Sequence, residues 1–292
     1  MPRIPVTKTP KVYVGGQFIR SESGRVFPVQ KKRQGDDGLL GNIPQCTRKD
    51  LRNAVEAAAK AGPDWAHRTP YNRGQIIYRL GEMLEGRSAE MADALVISGA
   101  ATKTAAAKEV AASVDRLIYY AGWADKYEQV LGNTNPVAGP FFNFTVAEPM
   151  GIIGVIADDS FPLLGLLSQI TPVILSGNTV VCLASEKFPY PAIVLGEMLA
   201  TSDLPGGVVN ILTGFRKELL PTFATHTHIR ALSAVVNQEE KKQLQLGAAE
   251  SIKRVRARKR DDDIVWTENE TQSVYEIRDF IEFKTTWHPI GA

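Results

Sequence analysis

Two cysteines, Cys46 and Cys182, and a His-x-His pair, His226 and His228, are the residues best suited to nucleophilic or metal chemistry. A cysteine attacks or binds metal as the thiolate, which an apolar setting disfavours. Cys182 lies inside the apolar run Thr179–Leu183 and reads as a small buried hydrophobe. Cys46 precedes Thr47, a helix N-cap candidate, where a thiolate would be helped; no histidine neighbours it, and a structural loop position is the better reading. The histidine pair needs further ligands converging on it, and the sequence marks none, so it reads as a loop before a strand. Asp158 and Asp159 are adjacent, so on an extended chain their side chains point apart; they read as solvated acidic loop residues rather than a cation site. Lys253, Arg254, Arg256, Arg258, Lys259 and Arg260 form a basic run that could meet nucleic acid. No aromatic is interleaved and Asp261–Asp263 follow at once, so internal neutralisation in a linker is expected instead. Catalytic and metal-ligating residues are therefore assigned to none of these.

The frame that would position a site is Glu148 to Gly214. Two apolar β-branched runs, Ile152–Ile156 and Thr179–Leu183, bracket a helix-like segment over Pro162–Leu175. A second helix-like segment, Tyr190–Ser202, leads to a third apolar strand, Val208–Leu212. This β-α-β-α-β order predicts a parallel sheet covered by crossover helices, with continuous rather than alternating apolar strands. Ligands of such sheets sit at the carboxyl ends of the strands. Upstream, Val12 and Val14, the Gly15-Gly16 turn and Phe18-Ile19 predict a hairpin. Val29–Asn42 is polar, with Gln34–Gly38 a loop. Thr47 with Asp50 forms a capping-box pattern before a helix, and Pro70–Gly86, Ala89–Gly99 and Ala100–Asp125 predict three more. Val130–Glu148 changes character: Gly, Asn and Pro mark turns, and the run predicts a two-faced extended hairpin projecting from the helical body. Beyond Gly214 come a short helix over Lys217–Ala224, a strand over Ile229–Val236, a polar helix over Gln238–Gly247 and a helical stretch over Thr271–Ile281.

Length and composition bound the rest. The 292 residues are 44% apolar and 23% charged with a net charge of +2, an ordinary globular composition without a steering field for nucleic acid. Two cysteines make no disulfide framework. Met1–Pro10 lacks an apolar core, so no leader peptide is expected, and no apolar run reaches the ~20 residues of a membrane helix. The expected setting is cytoplasmic.

Several motifs, in order, resemble the NAD-dependent aldehyde dehydrogenase superfamily over roughly residues 10–250: the hairpin KVYVGGQFIRSESGRVFPV, the segment CTRKDLRNAVEAAAKAGPDWA, and EPMGIIGVI, FPLL, TPVILSGNTVV and LPGGVVNILTGF. The ending EFKTTWHPIG and the altered motifs look most like the non-catalytic second domain of the family-16 aldehyde dehydrogenases. In the family a cysteine thiolate attacks the aldehyde, an asparagine amide and a backbone N–H hold the oxyanion, NAD takes the hydride, and a glutamate activates water. Carried over residue by residue, the P-W-N-F-P motif becomes Asp158-Asp159-Ser160-Phe161-Pro162, with Ser160 at the asparagine position. Leu183 stands at the position of the ribose-binding lysine, and only Glu186 of that pair remains. After Gly214-Phe215 the family has a glycine where this chain has Arg216, and its F-T-G-S turn corresponds to the region of Val235. The E-L-G-G-K glutamate and the G-Q-x-C nucleophile motif are absent.

The resemblance implies an α/β fold: a Rossmann-like parallel sheet with flanking helices over residues 1–129 and 149–250, and a β oligomerisation arm over 130–148 and 271–292. A charged linker over 251–270 would replace the catalytic domain. It implies a non-catalytic homologue acting as a structural or regulatory subunit, joined through Phe141, Phe142, Phe144, Phe280, Phe283 and Trp287 to an active aldehyde dehydrogenase or to itself. No cofactor is expected; vestigial NAD contacts would fall to Ser160, Phe161, Pro162, Glu186 and Gly214. Two alternatives stand beside this reading: an NAD-dependent enzyme oxidising an aldehyde to an acid, and an NAD-binding adaptor or sensor. Neither a membrane nor a nucleic acid is an expected partner.

Overall fold

Apolar, β-branched runs need both faces covered, and the chain covers them by winding in two directions from one central strand. The computed structural model describes residues 8–32, 38–260 and 264–291. Most of the loop expected at Gln34–Gly38, the first seven residues of the Met1–Pro10 stretch and the acidic triplet Asp261–Asp263 lie outside the described residues.

In chain order the strands and helices are β1 (Val12–Val14), β2 (Gln17–Ile19), β3 (Val26–Gln30), β4 (Leu39–Pro44), α1 (Arg48–His67), α2 (Pro70–Gly86), α3 (Ser88–Ile97), α4 (Lys103–Trp123), α5 (Tyr127–Leu131), β5 (Asn133–Asn135), β6 (Phe141–Pro149), β7 (Ile152–Ile156), α6 (Leu164–Leu175), β8 (Thr179–Leu183), α7 (Tyr190–Leu199), β9 (Val209–Leu212), α8 (Arg216–Thr225), β10 (Ile229–Val236), α9 (Gln238–Ala249), β11 (Arg254–Lys259), α10 (Val274–Arg278) and β12 (Ile281–Pro289). The main sheet has seven strands in the order β11-β10-β7-β8-β9-β1-β2. Strands β11 to β9 run parallel, and the β1–β2 hairpin joins antiparallel at the β9 edge. From β7 the chain steps to β8 and β9, then returns to lay β10 and β11 on the other side of β7. The winding direction therefore reverses between β7 and β10, the point where doubly wound sheets hold their ligands.

Helices α1 to α4, α6 and α7 supply much of the cover. Every residue of α6 is buried, including Pro172, so this helix lies within the core rather than on it. Its N-cap, Leu163, brings no capping side chain. Glu109 of α4 caps it from a neighbouring helix: Leu163 N and Leu164 N donate to its Oε1 at 3.0 and 3.1 Å. A carboxylate at a helix N-terminus is favoured by the helix dipole and by the free N–H groups there.

Buried cations tie the other element ends. Arg73 of α2 donates Nε to Leu175 O at 2.7 Å and Nη1 to Arg68 O at 2.5 Å, joining the ends of α6 and α1. Arg116 of α4 uses all five of its N–H donors. They go to Ser168 Oγ of α6 and to Trp266 O, Thr271 O, Thr271 Oγ1 and Gln272 Oε1 of the segment after β11. Lys253 Nζ donates to Phe223 O, Ala224 O and His226 O at 3.2, 2.6 and 3.1 Å, closing the C-terminus of α8.

The expected helices and parallel strands are present, with ends shifted by a few residues. Three expectations are corrected. The polar stretch Val29–Asn42 contributes to an antiparallel β3–β4 pair. The charged linker reading fails for Arg254–Lys259, which pairs parallel with β10 over six residues as β11. Its basic residues alternate: Val255 and Ala257 pack on the core, while Arg256 meets Glu276 and Asp279 and Arg258 meets Glu276 at 2.6 Å. Neutralisation thus comes from α10 across the sheet edge. Phe280, expected on the arm, is 1% exposed and belongs to the main core; its carbonyl accepts from Asn178 Nδ2 at 2.7 Å. Its place just before β12 makes it the root of the arm rather than part of its surface.

The arm itself is a three-stranded antiparallel sheet, β12-β6-β5, in which β12 pairs with β6 along nine residues. Among the described residues, none of the helices is long and apolar enough to cross a membrane.

Burial holds the Glu109 carboxyl above its ordinary pKa, partly offset by the two N–H donors. A raised carboxyl binds its proton more readily folded than unfolded, so stability gained through it falls as pH rises. Glu109→Ala leaves two buried N–H groups without an acceptor and should cost about 1–3 kcal/mol in urea unfolding at neutral pH. Glu109→Gln keeps an acceptor and should cost less. As pH falls from neutral toward the ordinary carboxylate range, the wild-type chain should gain on the glutamine variant; parallel pH profiles would refute this reading.

Candidate functional site

The crevice at the carboxyl ends of β7 and β10 is where the fold would place chemistry. The loop leaving β7 carries Asp158 to Pro162, and the loop leaving β8 carries Ser185 to Lys187. Helix α8 starts at Arg216 immediately after Gly214-Phe215, and α9 starts after Asn237 at the end of β10. Together they bound an open cleft of about 590 Å³ lined by Phe27, Asp159, Glu186, Phe215, Arg216, Glu240 and Arg260, among others. A groove of about 710 Å³ lies elsewhere, between Lys8–Lys11, Phe18, Tyr190 and Glu197; it is lined by neither histidine nor cysteine.

Arg216 dominates the cleft. Its side chain is only 4% exposed. Nη1 donates to Val235 O at 2.7 Å and Nη2 to Ala157 O at 2.5 Å, so one guanidinium bridges the ends of β10 and β7. Asp159 Oδ2 and Glu240 Oε2 stand 3.4 and 3.5 Å from it, and Arg260 approaches the same two carboxylates at 3.8 and 3.6 Å. The result is a paired network of alternating charge.

Of the vestigial cofactor residues, only Glu186 lines this cleft. Its carboxylate Oε2 accepts from Arg216 N at 2.6 Å, at the first turn of α8. Ser160 is exposed, with its backbone N–H donating to Asp158 Oδ1 at 3.1 Å. Pro162 is buried, and Phe161 packs in a separate cluster with Leu164, Val235 and Trp266. Gly214, at φ +146°, lies against the backbone of Cys46, and a Cβ there would meet Cys46 O at 3.2 Å. Asp158 is not solvated as expected: it is 2% exposed and accepts from Trp266 Nε1 at 2.8 Å. Asp159 is half-buried and accepts from Ser185 Oγ at 2.6 Å.

A dinucleotide at a switch point lays its pyrophosphate on a helix N-terminus and its ribose against a donor or acid. The residues here do not fit one. The N-terminus of α9 carries a capping box, with Glu240 N donating to Asn237 Oδ1 at 2.8 Å and Asn237 N donating to Glu240 Oε2 at 3.0 Å. That of α8 is occupied by Glu186. Leu183 is fully buried and has no polar atom in its side chain. Arg216, Glu240 and Arg260 were not singled out as a cluster from sequence; the Asn237-x-x-Glu240 capping pattern was the available signal.

Neither cysteine is placed for attack. Both are fully buried, and burial pushes each thiol up to about 12. Cys182 Sγ donates to Asn210 O at 3.3 Å inside β8. The His226 and His228 rings meet edge to face at 5.8 Å, and among the described residues no group of three His, Cys, Asp or Glu side chains could hold a metal. At pH 8 only about one thiol in ten thousand is ionised for such a pKa. A disulfide reagent should therefore find no fast-reacting thiol in the folded chain and two after unfolding. One stoichiometric fast thiol in the folded chain would contradict this placement.

Residues 18–258 match the aldehyde dehydrogenase family. Retinal dehydrogenase 2 of Gallus gallus is 35% identical over 253 residues, covering 85% of this chain and 48% of the relative. Mitochondrial benzaldehyde dehydrogenase of Antirrhinum majus is 32% identical over 251 residues, covering 84% and 46%. The solved structure of a mutant aldehyde dehydrogenase from Bacillus cereus superposes with a TM-score of 0.81 at 25% identity, covering 86% of this chain and 51% of that one. The chain thus spans about half the length of the curated relatives it matches. With the doubly wound sheet and the order of its motifs, these matches show that the protein belongs to the aldehyde dehydrogenase family.

Proposed function

We propose that this chain is a non-catalytic member of its family, akin to the second domain of the family-16 enzymes. In this reading it works as a structural or regulatory subunit, assembling through its arm with an active NAD-dependent aldehyde dehydrogenase or with a second copy. The observation that carries the reading is the arm. Its β12 strand offers a nine-residue outer edge with no neighbour in the sheet order among the described residues. An unpaired edge of this length is a template for another strand. Phe141 packs edge to face on Trp287 with ring centres 5.7 Å apart, and Phe142 packs on Phe144 at 5.4 Å. Phe141, Phe142, Phe283 and Trp287 remain exposed, while Phe144 is half-buried.

These pairs lie on opposite faces of the arm, since cross-strand partners share a face and neighbours along a strand do not. Phe141, Phe283 and Trp287 lie on one side, Phe142 and Phe144 on the other. An arm apolar on both sides is better suited to insertion between partners than to lying on its own body. The buried cysteines and the internally paired lining of the crevice support the absence of aldehyde oxidation by this chain alone.

Native mass determination of the purified chain, with and without a full-length aldehyde dehydrogenase from the same source, tests the proposal. The expected result is a dimer or larger species, or a stable complex with the enzyme, and no aldehyde-dependent NADH formation by the chain alone. Phe142→Asp combined with Trp287→Asp should return it to a monomer without lowering its melting temperature by more than a few degrees. A wild-type monomer at micromolar concentration that ignores the enzyme would overturn the assembly, and turnover by the chain alone would overturn the non-catalytic assignment.

A further inference from the structure

The polar groups at the head of the switch-point crevice are engaged from within the chain. The Arg216 guanidinium spans it, with Nη1 on Val235 O and Nη2 on Ala157 O at 2.7 and 2.5 Å. The two carbonyls belong to β10 and to the residue after β7, the strands between which the winding reverses. Two carboxylates hold the cation in place from the cleft side, Asp159 at 3.4 Å and Glu240 at 3.5 Å.

Such a cation could in principle invite a phosphate rather than exclude one. Its surroundings decide against that. Both amino ends of the guanidinium are already committed to carbonyls, and the nearby negative charge is supplied by Asp159, Glu240 and Glu186. A pyrophosphate entering here would have to displace Asp159 and Glu240 from the two guanidinium groups they already pair with, and Glu186 from the Arg216 N–H. It would also find the two flanking helix N-termini engaged by Glu186 and by Glu240. Among the described residues Arg216 Nε has no hydrogen-bond partner, so the side chain is positioned by its two Nη groups, hydrogen-bonded to two carbonyls and ion-paired with two carboxylates.

We propose that Arg216 is a built-in plug, taking the space and the backbone carbonyls at the strand ends and so excluding adenine dinucleotides from this chain. The plug is a property of the crevice and does not depend on the assembly proposed above. It makes the bridge between the ends of β7 and β10 a ligand-independent part of the fold, with the guanidinium permanently seated at the floor of the cleft.

The test is NADH binding by the full chain, read from the nicotinamide fluorescence change and from the shift in melting temperature with NAD. The wild-type chain is compared with Arg216→Gly, which empties the crevice, and with Arg216→Gln, which keeps a donor for one carbonyl should the glycine variant fold poorly. Circular dichroism checks that each variant is folded. The wild-type chain is expected to show no saturable signal up to millimolar NADH. The folded variants should bind at least tenfold more tightly than it does. Saturable micromolar binding by the wild-type chain, lost in the variants, would make Arg216 a cofactor contact and overturn the proposal. Folded variants that bind no better than the wild type would overturn it as well, because something other than the guanidinium would then be excluding the nucleotide.

Discussion

A carbonyl oxygen buried at the end of a strand or helix has to meet a donor, and the ends of this fold are fixed by how that need is met. Parallel strands and fully buried helices leave their terminal carbonyls deep in the molecule, out of reach of bulk water. Four long cations reach them. Arg73 serves the end of α6, Arg116 the segment after β11, Arg216 the ends of β7 and β10, and Lys253 the end of α8. The three arginines each touch more than one element, so each fixes an angle between elements as well as a hydrogen bond. Apolar packing alone is tolerant of small slides; a forked guanidinium on two carbonyls is not. Glu109 is the mirror image of this arrangement, a buried anion serving the donors at the start of α6.

The same constraint separates what could be read in the sequence from what could not. The runs Ile152–Ile156, Thr179–Leu183 and Val209–Leu212 announced a parallel sheet because burial on two faces demands continuous apolar residues, and local composition records that demand. The hairpin at Gly15-Gly16 and the capping pair Thr47 and Asp50 were legible because their partners lie within a few residues. Strand β11 was not, since Arg254, Arg256 and Arg258 look like a solvated run until Glu276 and Asp279 arrive from later in the chain. Asp158 was misjudged for the same reason: its partner is Trp266, more than a hundred residues away. Phe280 sits among strand-like aromatics, and nothing local distinguishes the one that turns inward.

The candidate site keeps the frame of a switch-point crevice with a lining of its own. The sheet order, the switch point and the helix starts are those on which a nucleotide site could be built. The lining is different: a cation where the backbone would need to be open, carboxylates at both helix N-termini and an apolar side chain at Leu183. These substitutions are mutually consistent, because the carboxylates neutralise the cation and the cation bridges the strands. Single changes at Asp159 or Glu240 would leave a buried charge short of a partner, so the network resists being dismantled one residue at a time.

The arm is sewn from the two ends of a long loop in the chain. Strand β6 leaves just before the central strand β7, whereas β12 arrives only after the whole sheet has been laid down, and the two then pair along their full length. A chain emerging from synthesis therefore carries β6, with Phe141, Phe142 and Phe144, for the time it takes to produce everything up to Pro289. Pairing strands so far apart in sequence is slow compared with local helix formation. Completion of the arm thus reports on completion of the body: the root residue Phe280 must be seated in the core for β12 to leave at the right place. The two aromatic faces of the arm are complete only once β12 has paired with β6, and an unfinished or misfolded body cannot display them.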